Sequence, residues 1–326
     1  MKIIVTGGAG FIGSNLVDAL VKKKHKIIVI DNLVTGQKKN LLKSKKAIKF
    51  LKTDINNLTN NQEKIFKNSD CVFHLAGLAD IVPSILNPEK YFKANVNGTL
   101  KILEISKKYK VKKLIYAASA SCYGIPKKYP TSEKDVLDLQ YPYAITKKIG
   151  EDLVLKWAKI YKMNNSSLRF FNVYGPRSRT TGAYGAVFGV FLAQKLKNKP
   201  LTIVGNGKQT RDFVHVTDLV NALIKSIKKT KKGEIYNIGS GKEVSVNKIA
   251  LLIGGKKIFI PKRPGEPTRS KANINKIKKT LNWRPLVSIE SGVKMMLNNI
   301  ENWKDAPVWT PNKINKATKA WFKFLK

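Results

Sequence analysis

The chain has 326 residues, 43% of them apolar and 25% charged, so it is long enough for two domains or one large α/β unit with an appendage. No apolar run reaches the ~18 residues of a membrane span, and the chain opens directly on a strand-like segment without a secretion signal. We therefore expect a cytoplasmic protein that does not cross a membrane. Two cysteines, Cys71 and Cys122, exclude a disulfide framework and a cysteine-based zinc site, and we expect no metal.

The strong positive charge does not by itself indicate a nucleic-acid partner. The sequence has 62 Lys and Arg against 21 Asp and Glu, a formal net charge of +41. Only seven of the 62 are Arg, and the Lys are scattered along the chain rather than clustered on one segment. We interpret the excess as compositional drift at surface positions, with attraction of anionic substrates or acidic partners as the alternative.

Short apolar runs alternate with amphipathic stretches in the first half of the chain. The predicted strands are Ile3–Thr6, Lys26–Asp31, Lys49–Thr53, Cys71–Leu75, Lys113–Ala118 and Ser167–Phe171. The predicted helices are Phe11–Lys22, Gln62–Lys67, Pro88–Tyr109 and Tyr143–Met163. Such alternation is typical of βαβ units, so the sequence predicts an α/β fold with a doubly wound parallel sheet of the Rossmann type.

Glycine and proline break the C-terminal part of the chain into shorter elements. A helix at Asp218–Lys228 and a strand at Glu234–Ile238 are predicted to return the chain to the first lobe. We therefore expect a dinucleotide-binding domain of residues 1–172 completed by residues 213–240. Residues 173–212 and 241–326 are expected to form a smaller α/β lobe that binds the substrate.

A glycine-rich loop follows the first predicted strand. Gly7, Gly10 and Gly13 have the spacing that brings backbone N–H groups against a pyrophosphate at a helix N-terminus. Asp31 ends the next strand, where a carboxylate accepts hydrogen bonds from the adenosine ribose and disfavours a 2′-phosphate. The loop therefore predicts NAD rather than NADP. Asp54-Ile55 is placed to approach the adenine, although a helix N-cap role for Asp54 fits as well.

Three residues form a candidate catalytic group. Tyr143 and Lys147 are four apart and share a helix face, so the ammonium is expected to stabilise a phenolate that acts as a base near neutral pH. Ser119 ends a predicted strand at the carboxyl edge, where ligands bind in such sheets. We expect Ser119 to hydrogen-bond both Tyr143 and the substrate.

These motifs, taken in order, resemble one known family. They are Gly7–Gly13, Asp31-Asn32, His74–Gly77, Asn95, Ser119 with Tyr123-Gly124, Tyr143 with Lys147, and Arg169–Arg177. Together they resemble the extended short-chain dehydrogenase/reductase family, in particular its nucleotide-sugar epimerases and dehydratases. The resemblance covers nearly the whole chain, through Arg211–Phe213, Arg263–Glu266 and Asn282–Pro285.

The resemblance implies NAD as cofactor and a set of residues around it. These are Gly7, Gly10, Phe11, Ile12, Gly13, Asp31, Asn32, Asp54, Ile55, Leu75, Ala76, Asn95, Tyr143 and Lys147. His74 is interpreted as packing beside the cofactor rather than as a proton carrier. The family's helices equivalent to Pro88–Tyr109 and Tyr143–Met163 form a dimer interface, so a homodimer is expected.

The resemblance also bears on the reaction. In this family the tyrosine removes a sugar hydroxyl proton while hydride passes to NAD. The 4,6-dehydratases carry Thr-Asp-Glu at the strand end, whereas this chain has Ser119-Ala120-Ser121, so dehydration is disfavoured. The pattern is similar to that of UDP-sugar 4-epimerases, in which the keto-sugar rotates and takes the hydride back on its other face.

The resemblance further implies that Asn172, Arg211 and Arg263 hold the nucleotide diphosphate. Ser270 corresponds to a position beside the sugar, where a small residue leaves space for the N-acetyl group of UDP-N-acetylglucosamine. Arg177 and Arg179 depart from the simpler pattern and are expected to touch the sugar or a partner subunit.

Two alternatives stay open. The first is another nucleotide-sugar epimerase, dehydratase, decarboxylase or reductase. The second is a non-catalytic dinucleotide-binding or RNA-binding protein that uses the positive charge. The presence together of Ser119, Tyr143 and Lys147 favours an enzyme.

Overall fold

The computed structural model describes residues 1–178 and 186–325. Its strands are β1 Lys2–Thr6, β2 Lys26–Asp31, β3 Ile48–Lys52, β4 Cys71–His74, β5 Leu114–Ser119, β6 Asn165–Phe170, β7 Asn172–Tyr174, β8 Leu201–Val204, β9 Thr210–Arg211, β10 Phe213–His215, β11 Glu234–Ile238, β12 Val244–Ser245 and β13 Lys257–Ile260. Its α-helices are α1 Phe11–Lys22, α2 Asn60–Glu63, α3 Ile81–Leu86, α4 Pro88–Tyr91, α5 Gly98–Lys108, α6 Pro142–Ile160, α7 Val187–Leu196, α8 Val216–Lys229, α9 Val246–Ile253, α10 Asn275–Leu281, α11 Ile289–Leu297 and α12 Pro311–Phe324. No described helix is long and apolar enough to cross a bilayer.

A seven-stranded sheet in the order β11-β6-β5-β4-β1-β2-β3 forms the centre of the molecule. All of its neighbouring strands run parallel. The predicted α/β class with a doubly wound Rossmann sheet is therefore confirmed. The strand order reverses between β1 and β4, and ligands of such sheets bind at the carboxyl ends beside that reversal.

Most predicted elements lie within two residues of the observed ones, but two predicted helices differ. The predicted helix Pro88–Tyr109 is interrupted by a π-helical turn at Phe92–Asn97. A π-turn inserts an extra residue into the helix, and Asn95 within it points its amide away from the helix toward the site. The predicted helix Gln62–Lys67 is instead α2 followed by a 3₁₀ turn at Lys64–Phe66.

The described residues form three apolar cores, one of which packs α5 and α6 against the sheet around Ile102, Leu103 and Val154. The other two contribute residues to the walls of a cavity. The first of these two fills the sheet interior around β1, β4 and α8. The second joins α7, α9 and α11 around Tyr174, Phe191 and Trp303. Part of the predicted substrate lobe packs against the dinucleotide-binding domain. Ile274, Ile277 and other side chains between residues 272 and 283 belong to the first core.

A buried ion pair joins α6 to β6. Arg169 on β6 donates from Nε to Glu151 Oε2 at 3.0 Å and from Nη2 to Oε1 at 2.6 Å. The Arg169 side chain is 2% exposed and that of Glu151 0%. Ser167 also donates to Oε2 at 2.9 Å, so the carboxylate is well satisfied. A bidentate pair of this kind fixes both the rotation and the height of α6 against the sheet.

We predict that Arg169→Leu lowers the free energy of unfolding by about 3–5 kcal/mol, because Glu151 would then be a buried carboxylate without its partner. Urea unfolding followed by circular dichroism measures the change. The exposed pair of Lys148 and Asp152 on the same helix is the matched control, and Lys148→Ala should cost less than about 1 kcal/mol. Equal losses in the two variants would contradict the prediction.

Candidate active site

The glycine loop between β1 and α1 has the shape of a phosphate-binding turn. Gly7 adopts φ +70°, and a Cβ there would lie 2.6 Å from the backbone nitrogen of Ala76. A Cβ at Gly13 would lie 2.2 Å from the Gly7 carbonyl oxygen. Helix α1 begins after Gly10, which offers no side chain to cap it. The first-turn N–H groups are thus left for an anion at the helix N-terminus, which fits a pyrophosphate.

Asp31 lies at the end of β2 beside this loop. Its Oδ2 accepts from Ala9 N at 2.9 Å and its Oδ1 from Leu33 N at 2.8 Å. Burial raises the pKa of Asp31, and the two backbone hydrogen bonds oppose that rise. Each carboxylate oxygen has further lone pairs, so the side chain has acceptor capacity for ribose hydroxyls. The loop and Asp31 together fit NAD.

The other residues predicted near the adenine contact one another. Asn32 Nδ2 donates to Asp54 Oδ2 at 2.8 Å. Asp54 also accepts from Asn56 N at 2.9 Å as the N-cap of a 3₁₀ turn, and Ile55 is buried against Gly98. The N-cap role of Asp54 is therefore present, while contact of Asp54 and Ile55 with the adenine stays a prediction.

The end of β4 is held to β1 through Thr6. Leu75 N donates to the Thr6 carbonyl oxygen at 3.1 Å, and Ala76 N to Thr6 Oγ1 at 3.3 Å. His74 uses both ring nitrogens, at 2.8 Å from Thr6 Oγ1 and 3.0 Å from Thr99 Oγ1. Burial lowers the pKa of His74 to about 3, so the ring is neutral and serves as packing.

Asn95 fastens the loop after β4 to helix α6. Its Oδ1 accepts from Leu78 N at 2.8 Å, and its Nδ2 donates to Leu78 O and Thr146 Oγ1, each at 3.0 Å. The side chain is 1% exposed. Asn95 thus positions the loop that carries Leu75 and Ala76, and its direct contact with the cofactor stays a prediction.

The three candidate catalytic residues meet where β5 ends and α6 begins. Ser119 Oγ lies 2.8 Å from Ser121 Oγ and accepts from Ser121 N at 3.1 Å. Tyr143 lies in the first turn of α6, and the side chains of Ser119 and Ser121 both act to lower its pKa. Lys147, one turn further, is 7% exposed, with Nζ 4.4 Å from the centre of the Tyr116 ring. The predicted constellation is therefore assembled.

Burial shifts the pKa values of Tyr143 and Lys147, and the role of Tyr143 as a base near neutral pH stays a prediction. Burial raises the pKa of Tyr143 to about 12, although the side chain of Ser119 acts to lower it. Burial also lowers the pKa of Lys147 to about 8. The ammonium therefore does not by itself make Tyr143 a base near neutral pH, because desolvation disfavours the charged form of both groups.

A cavity of about 570 Å³ brings the predicted residues of both lobes together. It is lined by Phe11, Ile12, Ser119, Tyr143, Asn172, Arg211, Arg263 and Ser270. The lining residues that were not predicted from the sequence include Asp80, Tyr141 and Trp321. The sequence signal for Asp80 was a carboxylate just before a short helix. Its negative charge contributes to the raised pKa of Tyr143.

The two predicted diphosphate arginines lie on facing segments. Arg211 Nη2 donates to Glu266 Oε1 at 2.7 Å, and its Nη1 to Pro267 O at 2.8 Å. The Arg263 guanidinium lies over the Trp321 ring, 5.4 Å from its centre.

The motif after β6 contains two additional arginines, Arg177 and Arg179. Arg177 pairs with Asp18 of α1 at 2.6 Å, which holds the motif to the first lobe. Contact of Arg177 with the sugar or a partner subunit stays a prediction. Arg179 lies outside the described residues.

Comparison with known proteins identifies the family. The NAD dependent epimerase/dehydratase family model matches residues 3–239. The chain belongs to this family. A putative UDP-glucose 4-epimerase from Methanocaldococcus jannaschii is 36% identical over 307 residues, which are 92% of this chain and 98% of that protein.

Solved structures agree with this family. A UDP-glucose 4-epimerase from Thermotoga maritima, solved with UDP-glucose, has a TM-score of 0.86 and 34% identity, covering 94% of this chain and 99% of that chain. A UDP-glucuronic acid 4-epimerase from Bacillus cereus, in complex with UDP-glucuronic acid and NAD, has a TM-score of 0.86 and 33% identity, covering 92% and 99%. The resemblance to the extended family is confirmed, and its members' cofactor, NAD, is the cofactor of this chain.

We predict that Asp31→Asn weakens NAD binding by about tenfold or more, because the ribose hydroxyls would lose a charged acceptor. The same change should reduce the ratio of the affinity for NAD to the affinity for NADP. Titration calorimetry with each dinucleotide measures both effects. Asp70→Asn is the control, since Asp70 lies just before β4 at the opposite edge of the sheet and is hydrogen-bonded to Lys2 and Lys112. Unchanged NAD affinity in Asp31→Asn would remove Asp31 from the ribose site.

Proposed function

We propose that this NAD-dependent enzyme interconverts UDP-hexoses at C4 through a transient 4-keto sugar. UDP-glucose or UDP-N-acetylglucosamine is the proposed substrate. The observation that carries the proposal is that Tyr143 and Ser119 line the same cavity, where the end of β5 provides Ser119-Ala120-Ser121 and no carboxylate. Elimination of water needs an acid and a base together. Of the two carboxylates among the described lining residues, Asp80 lies on a different loop and Glu266 is paired with Arg211.

The chain's own residues support this chemistry as follows. Tyr143 takes the proton from the C4 hydroxyl, and Ser119 donates a hydrogen bond to the same oxygen. Lys147 supplies positive charge one turn below Tyr143. Bound NAD would supply the acceptor and later the donor of the C4 hydride. Because the hydride returns within one turnover, no net oxidation occurs.

The opposite side of the cavity suits the nucleotide diphosphate. Guanidinium groups match phosphate oxygens in geometry and charge, so Arg211 and Arg263 are proposed to bind the diphosphate together with Asn172. Ser270 lines the same cavity, and its small side chain leaves room for an N-acetyl group on C2 of the sugar.

The protein is also proposed to be a homodimer that uses α5 and α6. Leu100 on α5 and Phe92 just before it are each 39% exposed, and Ile160 at the end of α6 is 60% exposed. Covering such apolar side chains is the usual driving force for helix pairing between subunits.

The function is tested by proton NMR of the sugar without added cofactor. Purified protein is incubated separately with UDP-glucose, UDP-N-acetylglucosamine, UDP-glucuronate and dTDP-glucose. We expect the C4 epimer to appear from UDP-glucose or UDP-N-acetylglucosamine. A 4-keto-6-deoxy sugar, a pentose or no change would each contradict the proposal, the first two in favour of a dehydratase or a decarboxylase.

Tyr143→Phe gives the matched test of the chemical step. It removes one hydroxyl from a residue that otherwise packs edge-on against Tyr91 at 6.4 Å, so the fold should be kept. We expect turnover to fall by a factor of 10³ or more while bound NAD is retained, because the proton acceptor is lost. Residual activity near that of the native enzyme would remove Tyr143 from the mechanism.

The pH dependence follows from the Tyr143 and Lys147 pair. Below the Lys147 pKa of about 8, both residues are protonated. Between that value and the Tyr143 pKa of about 12, the two residues hold one proton between them. The active arrangement, phenolate with ammonium, is one of the single-proton forms. We therefore expect kcat/KM to rise about tenfold per pH unit up to about pH 8 and then level off.

Lys147→Met is the control for this profile, because only Tyr143 then titrates. In this variant the residual rate should keep rising beyond pH 8. A native profile that is flat between pH 6 and 9 would show that this pair does not control the rate.

A further inference from the structure

The last helix of the described chain forms part of the cavity wall. Helix α12 starts at Pro311 after the capping residue Thr310. Its buried side chains are Ile314, Thr318 and Trp321, which share one face at helical spacing. This face contacts α3 of the first lobe, whose first residues also line the cavity. The end of the chain therefore crosses from the substrate lobe to the dinucleotide-binding lobe beside the site.

Trp321 makes three contacts at this crossing. Its Nε1 donates to the carbonyl oxygen of Pro264 at 2.7 Å. The guanidinium of Arg263 lies over its ring at 5.4 Å, and the ring of Tyr141 lies 6.4 Å away at an angle of 48°. The residue is 4% exposed, yet it lines the cavity. A buried indole with its N–H satisfied and a cation on its face is held in one orientation.

The segment that Trp321 holds also carries the partners of the second arginine. Residues 263–267 form a turn in which Gly265 adopts φ +66°. Glu266 and Pro267, at the end of this turn, accept the hydrogen bonds of Arg211 at 2.7 and 2.8 Å. One tryptophan from the end of the chain thus fixes the turn to which both arginines of the cavity are attached.

The same tryptophan is connected to the proposed catalytic residue. The ring of Tyr141 is stacked on that of Tyr143, with centres 6.4 Å apart and planes 5° apart. Trp321, Tyr141 and Tyr143 therefore form a continuous aromatic row along one wall. A shift of Trp321 would change the distance between the arginine side of the cavity and Tyr143.

We propose that Trp321 is a positioning residue of the nucleotide-sugar site, which holds Arg263 and the 263–267 turn ready for the substrate diphosphate. The inference rests on the proposed function for the role of the arginines. An arginine stacked on a fixed ring loses less rotational freedom when it binds phosphate, so the site is preorganised. Helix α12 is on this view part of the active site.

The test measures UDP binding by titration calorimetry, with NAD content and melting temperature as separate readouts. Trp321→Ala should weaken UDP binding by about tenfold or more and leave NAD content unchanged. Trp321→Phe keeps a ring for Arg263 but loses the donor to Pro264, so it should recover part of the affinity. In turnover assays the loss should appear mainly in KM.

Ile314→Ala is the matched control for docking of the helix. Ile314 is 3% exposed and lies two turns before Trp321 on the same face. This variant should lower the melting temperature while UDP affinity stays native. Native UDP affinity in Trp321→Ala, or an equal loss in Ile314→Ala, would overturn the inference, because the helix would then contribute only stability.

The outcomes separate this inference from the proposed reaction, because binding of UDP needs no turnover. A native protein that binds UDP but epimerises no sugar would contradict the proposed reaction. The UDP affinities of the Trp321 and Ile314 variants would still test the role of Trp321. Failure of the native protein to bind UDP, dTDP, GDP or CDP would overturn both proposals.

Discussion

The buried pair of Glu151 and Arg169 is the constraint on which the site geometry depends. Helix α6 carries Glu151 one turn after Lys147 and two turns after Tyr143, so fixing Glu151 fixes the other two. Arg169 is held in turn by the Tyr123 ring, 4.8 Å from the guanidinium carbon. Sliding α6 along the sheet would separate two buried charges, which costs several kcal/mol. The candidate catalytic residues on α6 are therefore placed by an interaction beneath them as well as by their own contacts.

The second wall of the cavity depends on contacts between lobes. Asp212 is fully buried, and its carboxylate accepts from Ser240 N, Gly241 N and Ala272 N. Asp212 directly follows Arg211 in the chain. Its hydrogen bonds join it to the end of β11 and to the segment that leads into α10. Asp212 and α12 together restrain the part of the cavity wall that carries Arg211 and Arg263. This part of the wall therefore moves little relative to the sheet. The proposed reaction, in which a keto-sugar rotates within the site, would benefit from walls that do not move with the sugar.

The sequence predicted the parts of the fold that consecutive residues encode. Helix Phe11–Lys22 and strand Lys26–Asp31 have their predicted bounds, because the glycine loop and the apolar run each specify local structure. Trp321 was missed because its meaning depends on Pro264, 57 residues away, and nothing in the spacing indicates that contact. The raised pKa of Tyr143 was missed for a related reason: charge spacing along a helix is visible in the sequence, whereas desolvation depends on the packed neighbours.

The distribution of arginine in this lysine-rich chain follows from geometry. A guanidinium can bind a carboxylate through two parallel N–H groups and stack flat on a ring, whereas an ammonium can do neither. Such contacts are made by Arg169 on Glu151 and Tyr123, by Arg269 on Glu243 and Tyr129, and by Arg263 on Trp321. A lysine suffices where a solvated charge is enough, whereas a planar fork is needed where one side chain holds two segments together. Arg169, Arg263 and Arg269 therefore mark joints near the cavity, whereas Arg284 is exposed.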